Sequence, residues 1–149
     1  MAQIVFMSIE HAAQQIRDEF DFLEDWEDRY AHIIDLGKSN TPLADHERNE
    51  DTRVRGCASQ VWLVTATDPE HRILVRAESD AMIVSGLISL LIRLFSEQKA
   101  EDVLAFDTDA FLEEIGVKGA LTAQRSNGLA SMIEKIRKDA FALTTSEAS

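Results

Sequence analysis

Cys57 is the only cysteine in the 149-residue chain, and it is the residue with the most chemistry to offer. One thiol cannot close an internal disulfide, build a cysteine-rich zinc site or hold an all-cysteine iron–sulfur cluster. It can act as a nucleophile, and any sulfur chemistry must rest on this one thiol or be shared with a partner. It can also be inert, because free cysteine most often behaves as a small buried hydrophobe. Gly56 directly before it suits a turn or bulge between strands. Arg53 and Arg55 are near enough in sequence to stabilise a thiolate and lower its pKa. No acidic residue lies between Asp51 and Asp68, so the thiol sits in an acid-free stretch. On these residues alone, a reactive thiol and a buried one both remain open.

Other chemistries find less support. A cysteine hydrolase needs a base, and His11, His32, His46 and His71 form no recognisable Cys–His–Asn/Asp signature, although such groups need only meet in space. No histidine pair has the i,i+3 or i,i+4 spacing of a helical metal site, so no metal is expected. Neither a G-x-x-x-x-G-K-[ST] loop nor a G-x-G-x-x-G fingerprint is present. Trp26, Tyr30 and Trp62 read as packing residues rather than a cofactor box.

Composition narrows the class further. The formal charge is −12 and the pI is near 4.6, which argues against nucleic-acid or anionic-membrane partners. Thirteen acidic and four basic side chains fall in residues 1–51, so the acidity is concentrated there. Hydrophobic residues make up 45%, too many for a disordered chain. Ile4 to Met7 is too short for a signal segment and has no basic residue before it. The apolar run Ala81–Ile92 is shorter than the ~20 residues of a bilayer span. A reducing cytosol is therefore the expected compartment for the free thiol.

The elements that must position Cys57 can be read from periodicity. Residues 8–23 form an amphipathic helix capped by Ser8, with Ile9, Ala12, Ala13, Ile16, Phe20 and Leu23 on one face. A second helix spans 25–36, with Trp26, Tyr30, Ile33 and Ile34 as its stripe and Gly37 as the C′ residue. Residues 39–51 read as a loop with Pro42-Leu43 pinned to the core. Thr52–Arg55 is expected as a short strand. Ser59–Thr65 and Arg72–Glu78 alternate as strands on either side of Thr67-Asp68-Pro69-Glu70, a turn. Asp80 is expected to cap a mostly apolar central helix over 81–95. Helices near 99–105, at 108–115 and from about 122 follow, with a frayed tail at 144–149. The expected fold is α+β, a single domain with about three antiparallel strands packed against several helices.

Four blocks within this frame resemble the SufE/CsdE family of sulfur-acceptor proteins. They are Arg29-Tyr30 with Ile33-Ile34 and Leu36-Gly37-Lys38, then Arg55-Gly56-Cys57-Ala58-Ser59-Gln60-Val61-Trp62-Leu63. Ser79-Asp80-Ala81 with Ile83-Val84 and Gly86-Leu87 follows. Arg125-Ser126-Asn127-Gly128-Leu129 with Met132 and Ile136 completes the set. The blocks occur in order over about residues 20–140. The lead into the last one, Gly119-Ala120-Leu121-Thr122-Ala123-Gln124, departs from the family's His-Leu-Ser/Thr-Pro-Ser pattern, and residues 1–19 carry no distinctive match.

The resemblance implies a fold shared with IscU-type scaffolds and a sulfur-accepting role for Cys57. It implies a cysteine desulfurase partner of the SufS or CsdA kind, which itself carries the pyridoxal phosphate, so no cofactor is expected on this chain. It also implies delivery of the sulfur to an iron–sulfur scaffold or another acceptor. Arg55, Gly56, Gln60, Asp80 and Arg125 are the candidates for partner binding or loop positioning, from their polarity or turn character at element ends and from the motif match. Arg125, near a helix N-terminus, would face a partner carboxylate or neutralise the thiolate. Two other classes stand beside this one: an IscU-like cluster scaffold, which needs about three thiolates or equivalents, and an interaction module with an inert Cys57.

Overall fold

The structure is a computed structural model, and it describes residues 8–56, 59–117, 121 and 123–147. Among these residues the chain is α+β, with six α-helices and one three-stranded antiparallel sheet. Helix α1 spans Ile9–Asp21 and α2 spans Trp26–Gly37. Helix α1 is capped as expected, the Ser8 side chain accepting from the His11 amide, and Asp25 caps α2 rather than opening it, accepting from the Asp28 amide. Ile9, Ala12, Ala13, Ile16 and Phe20 of α1 are buried, whereas Ile33 alone is fully buried on α2.

Strands β1 (Val61–Thr67) and β2 (Arg72–Ser79) pair in the register Val61 with Ser79 through Thr67 with Ile73. The expected alternation holds: Val61, Leu63, Ile73, Val75 and Ala77 are buried, and Trp62, Val64 and Leu74 are half-buried on the other face. The third strand is a correction. Thr52–Arg55 contributes only an isolated bridge between Arg53 and Trp62. The third strand is β3, Gln98–Lys99, which pairs with Ile73 and Arg72 on the far edge of β2. It is two residues long, too short for alternation to reveal.

Helix α3 (Met82–Phe95) is central, with ten of its fourteen residues buried. It packs on β2, α1 and, most extensively, α2. Gly37 does not serve as a C′ residue. It ends α2, and the next residue, Lys38, keeps a right-handed φ of −66°. Its lack of a side chain matters for another reason. A Cβ on Gly37 would lie 2.7 Å from the Gly86 amide nitrogen, and one on Gly86 would lie 2.6 Å from two Ile33 atoms. Two glycines therefore let α2 and α3 touch backbone to backbone.

Helices α4 (Ala100–Ala105) and α5 (Thr108–Glu114) follow, and Gly116 ends the latter with φ +76°. Helix α6 (Ala123–Glu147) packs against α4, α3 and β1. It continues through Glu147, so the tail expected to fray from Thr144 is helical there. Arg29 secures the α1–α2 corner, donating from Nε to the Leu23 carbonyl (2.9 Å) and from Nη1 to the Ile115 carbonyl (3.2 Å). No helix among the described residues is long and apolar enough to cross a membrane.

Candidate functional site

The segment before Cys57 is tied down by its own side chains. Asn49 Oδ1 accepts from the Asp51 and Thr52 amides, and Thr52 Oγ1 donates to the Glu47 carbonyl at 2.6 Å. Further upstream, Asn40 donates to the Ser85 carbonyl and the Leu43 amide to Glu78 Oε1. Leu43 is buried, as its sequence position suggested, while Pro42 is exposed. Arg76 of β2 pairs with Glu47, and Arg48 reaches both the Leu43 carbonyl and Glu78. The Arg76 guanidinium, helped by the Ala44 amide, lowers the Glu47 carboxyl to about 2. Residues 40–51 thus form a strap held across β2 by charged and polar contacts.

The strap delivers the chain to β1. The Leu63 amide donates to the Thr52 carbonyl and the Val54 amide to the Val61 carbonyl, both at 2.8 Å. Val54 is buried. The six residues 55–60 are therefore the tip of a hairpin-like excursion whose incoming leg is fixed on β1. Cys57 and Ala58 lie within this tip and outside the described residues.

The outgoing leg is held by Asp80. Its Oδ1 accepts from the Gln60 amide at 3.0 Å, and its own amide donates to the Gln60 carbonyl at 3.3 Å. This corrects the expectation that Asp80 caps α3. Ala81 occupies the N-cap position with no side-chain cap, and the Ala81 amide instead donates to Ser79 Oγ. The carboxylate bonds an amide 20 residues away in the chain, because pairing of Val61 with Ser79 sets Gln60 beside it.

Gly56 is exposed and adopts φ +89°, a left-handed conformation that a side chain would strain. Its backbone abuts α6, so that a Cβ there would lie 3.0 Å from Ser131 Oγ. Arg55 is exposed and spends its charge on Glu50, at 3.0 Å. Arg53 makes no ion pair among the described residues. Arg125 lies in the first turn of α6, about 9 Å along the helix axis from Ser131 at the standard rise. Its side chain and the residues Lys118–Ala120 and Thr122 lie outside the description.

The structure thus joins Gln60 to Asp80, turns Gly56 towards Ser131 of α6, and pairs Arg55 with Glu50. Ser131 and Glu50 were not foreseen. Glu50 is signalled only by its sequence proximity to Arg55, and Ser131 by nothing local. A cleft of about 160 Å³ adjoins Asp80, lined by Ile34, Lys38, Met82 and Ser85 among others, with Met82 67% exposed. A larger cleft of about 420 Å³, lined by Glu70, His71, Lys99 and Glu101, includes no described residue of the loop or its roots. No cluster of metal-ligating side chains occurs among the described residues.

Comparison with known proteins gives a consistent result. The family model for SufE, an Fe-S metabolism associated domain, matches residues 14–140. An uncharacterized SufE-like protein of Rhizobium etli is 46% identical over 129 residues, covering 85% of this chain and 87% of that protein. Another, from Rhizobium meliloti, is 44% identical over 129 residues, with coverage of 85% and 92%. The solution structure of a hypothetical protein from Thermus thermophilus superposes with a TM-score of 0.74 at 18% identity. That superposition covers 90% of this chain and 96% of the other, and it establishes likeness of fold.

Proposed function

The chain belongs to the SufE family, associated with Fe-S metabolism, and from that premise we propose that it accepts sulfur from a cysteine desulfurase onto Cys57. The observation that carries the proposal is the place of its only cysteine. Cys57 falls in a six-residue tip whose legs are pinned by Val54–Val61 and by Gln60–Asp80.

The reaction is thiol–disulfide exchange in form. The desulfurase holds the sulfur as a persulfide on its own cysteine. The Cys57 thiolate attacks the outer sulfur, the new S–S bond forms on Cys57, and the old S–S bond breaks. The desulfurase thiolate leaves with the electron pair. No external oxidant or reductant enters. Pyridoxal phosphate belongs to the desulfurase and is not needed here. A single cysteine suffices, because a second thiol on this chain would expel the sulfur and leave an internal disulfide.

Each candidate residue has a role in this reading. Gly56 permits the backbone turn that precedes the nucleophile. Asp80 and Gln60 hold the outgoing leg so that the tip alone changes position on the partner. Arg55 and Arg125 contribute positive charge near the thiolate, Arg55 in competition with Glu50. After transfer, the sulfur passes from Cys57 to an iron–sulfur scaffold or another acceptor in the cytosol.

Intact-protein mass spectrometry after incubation with desulfurase and cysteine tests the proposal. The wild type gains the mass of one sulfur atom, reversed by a thiol reductant, and Cys57→Ser gains nothing. An unmodified wild type, or an equal gain on Cys57→Ser, overturns it.

A further inference from the structure

The hairpin tip has a third point of attachment besides its two legs. Gly56, the residue immediately before Cys57, turns the position a Cβ would occupy towards the side chain of Ser131 on α6. The geometry is specific. A Cβ on Gly56 would lie 3.0 Å from Ser131 Oγ but 4.0 Å from Ser131 Cβ. The hydroxyl, not the helix backbone or the β-carbon, is therefore the atom in the way. Ser131 is half-buried, and its hydroxyl has no hydrogen-bond partner among the described residues. Its bulk is what the loop meets.

The elements on both sides are stiff. Val54, two residues before Gly56, is buried and bonded to Val61. Helix α6 is fixed along β1, because Thr65 Oγ1 donates to Asp139 Oδ2 at 2.7 Å and Lys135 pairs with the same carboxylate. Its Leu129, Met132, Ile133 and Ile136 are buried in the core. A larger side chain at position 131 cannot be absorbed by moving the helix. It displaces the one partner that is exposed and lacks a side chain of its own, the backbone at Gly56.

We infer that Ser131 is a positioning residue for the proposed sulfur acceptor. The volume of the side chain at 131 sets where the Gly56 backbone sits, and so how Cys57 is presented. The functional meaning rests on the sulfur-acceptor reading. The contact itself does not.

The single cysteine supplies a site-specific test. Maleimide alkylation of Cys57 in the folded chain is followed against pH, so that a change in plateau rate separates from a change in thiol pKa. Ser131→Val is expected to raise the plateau rate about fivefold, the factor that about 1 kcal/mol supplies. Gly56→Ala is also expected to raise it, through the contact and the positive φ together. In a Ser131→Ala background the Gly56→Ala increase should shrink, since the nearest obstacle then recedes to 4.0 Å. Thermal unfolding of each variant verifies that the rates belong to the folded state.

A wild-type rate for folded Ser131→Val overturns the proposal, as does a Gly56→Ala effect of equal size in both backgrounds. Should Ser131→Val not fold, the Gly56→Ala and Ser131→Ala pair decides the matter. Persulfide formation is measured on the same proteins. Alkylation that follows residue 131 while the wild type accepts no sulfur would refute the sulfur-acceptor reading and leave the positioning contact standing.

Discussion

Replacing Gly86 with alanine should destabilise the protein, although alanine is the better helix former. An added Cβ would lie 2.6 Å from both the carbonyl carbon and Cγ2 of Ile33, and closer still to the Ile33 carbonyl oxygen. Carbon atoms pack at about 3.5–4.0 Å, so α2 and α3 must part by roughly 1 Å. The obstacle is largely backbone, which cannot rotate away. Overpacking of this kind costs about 1–3 kcal/mol, and the upper end applies where helices rather than side chains must move. The gain in helix propensity returns about 1 kcal/mol. A net loss of about 2 kcal/mol follows, which for a domain of this size lowers Tm by about 4–8 °C. Urea unfolding followed by circular dichroism measures it, with the midpoint falling and the slope constant. Gly37→Ala, whose Cβ would lie 2.7 Å from the Gly86 nitrogen, should act in the same direction. The two effects should be less than additive, because both separate the same pair of helices. A Gly86→Ala protein as stable as the wild type would refute the backbone-contact reasoning.

Three further outcomes are expected. Glu19 is held below its ordinary value of 4.5 by its hydrogen bond from Arg93, with His32 adding to the effect against burial, and Arg76 lowers Glu47 to about 2. A depressed carboxyl contributes stability that is present above its unfolded value and lost as pH falls through its folded one. Urea midpoints should therefore drop as pH falls from about 4.5 towards 2, and a Glu19→Gln, Glu47→Gln double variant should show a shallower drop; an unchanged slope would disprove the assignment. Asp80→Ala releases the Gln60 amide and should raise the Cys57 alkylation rate about threefold, as an exposed hydrogen bond worth under about 1 kcal/mol allows. Asp80→Asn, which retains the acceptor, should stay close to wild type, and equal rates in the two variants would exclude the tether. Finally, the acidic residues of the N-terminal third should steer the chain to a basic partner surface, so added salt should slow its association with a desulfurase. A salt-independent association rate would rule this out.

Asp80 shows how one residue changes meaning between chain and fold. Ser79-Asp80 before an apolar run has the pattern of a helix start, and α3 does start there. The carboxylate nevertheless bonds Gln60 across the sheet, because pairing of Val61 with Ser79 brings the two segments side by side. The first turn of α3 is left without a side-chain cap, and the loop carrying Cys57 gains an anchor. Arg29 changes in a similar way. It belongs to a family block, but its guanidinium spans two backbone carbonyls at the corner between α1, α2 and α5, so a structural task accounts for it.

The order of the helices, the alternation of β1 and β2, the cap at Ser8, and the singular status of Cys57 were all legible in the sequence. Each depends on residues close together in the chain, where periodicity and side-chain type act directly. The four motif blocks pointed to the family for a related reason, since spacing along a chain survives without coordinates. Other features depended on which distant segments meet. A two-residue β3 has no period of its own and exists only because β2 offers it an edge. Gly37 resembles a helix terminator until Gly86 arrives opposite it. The contact between Gly56 and Ser131 joins segments far apart in the chain, and nothing local marks either residue for the other. Local chemistry singled out Cys57 as the candidate nucleophile; the packing of α6 and the pairing of β1 with β2 decided what holds the residues on either side of it.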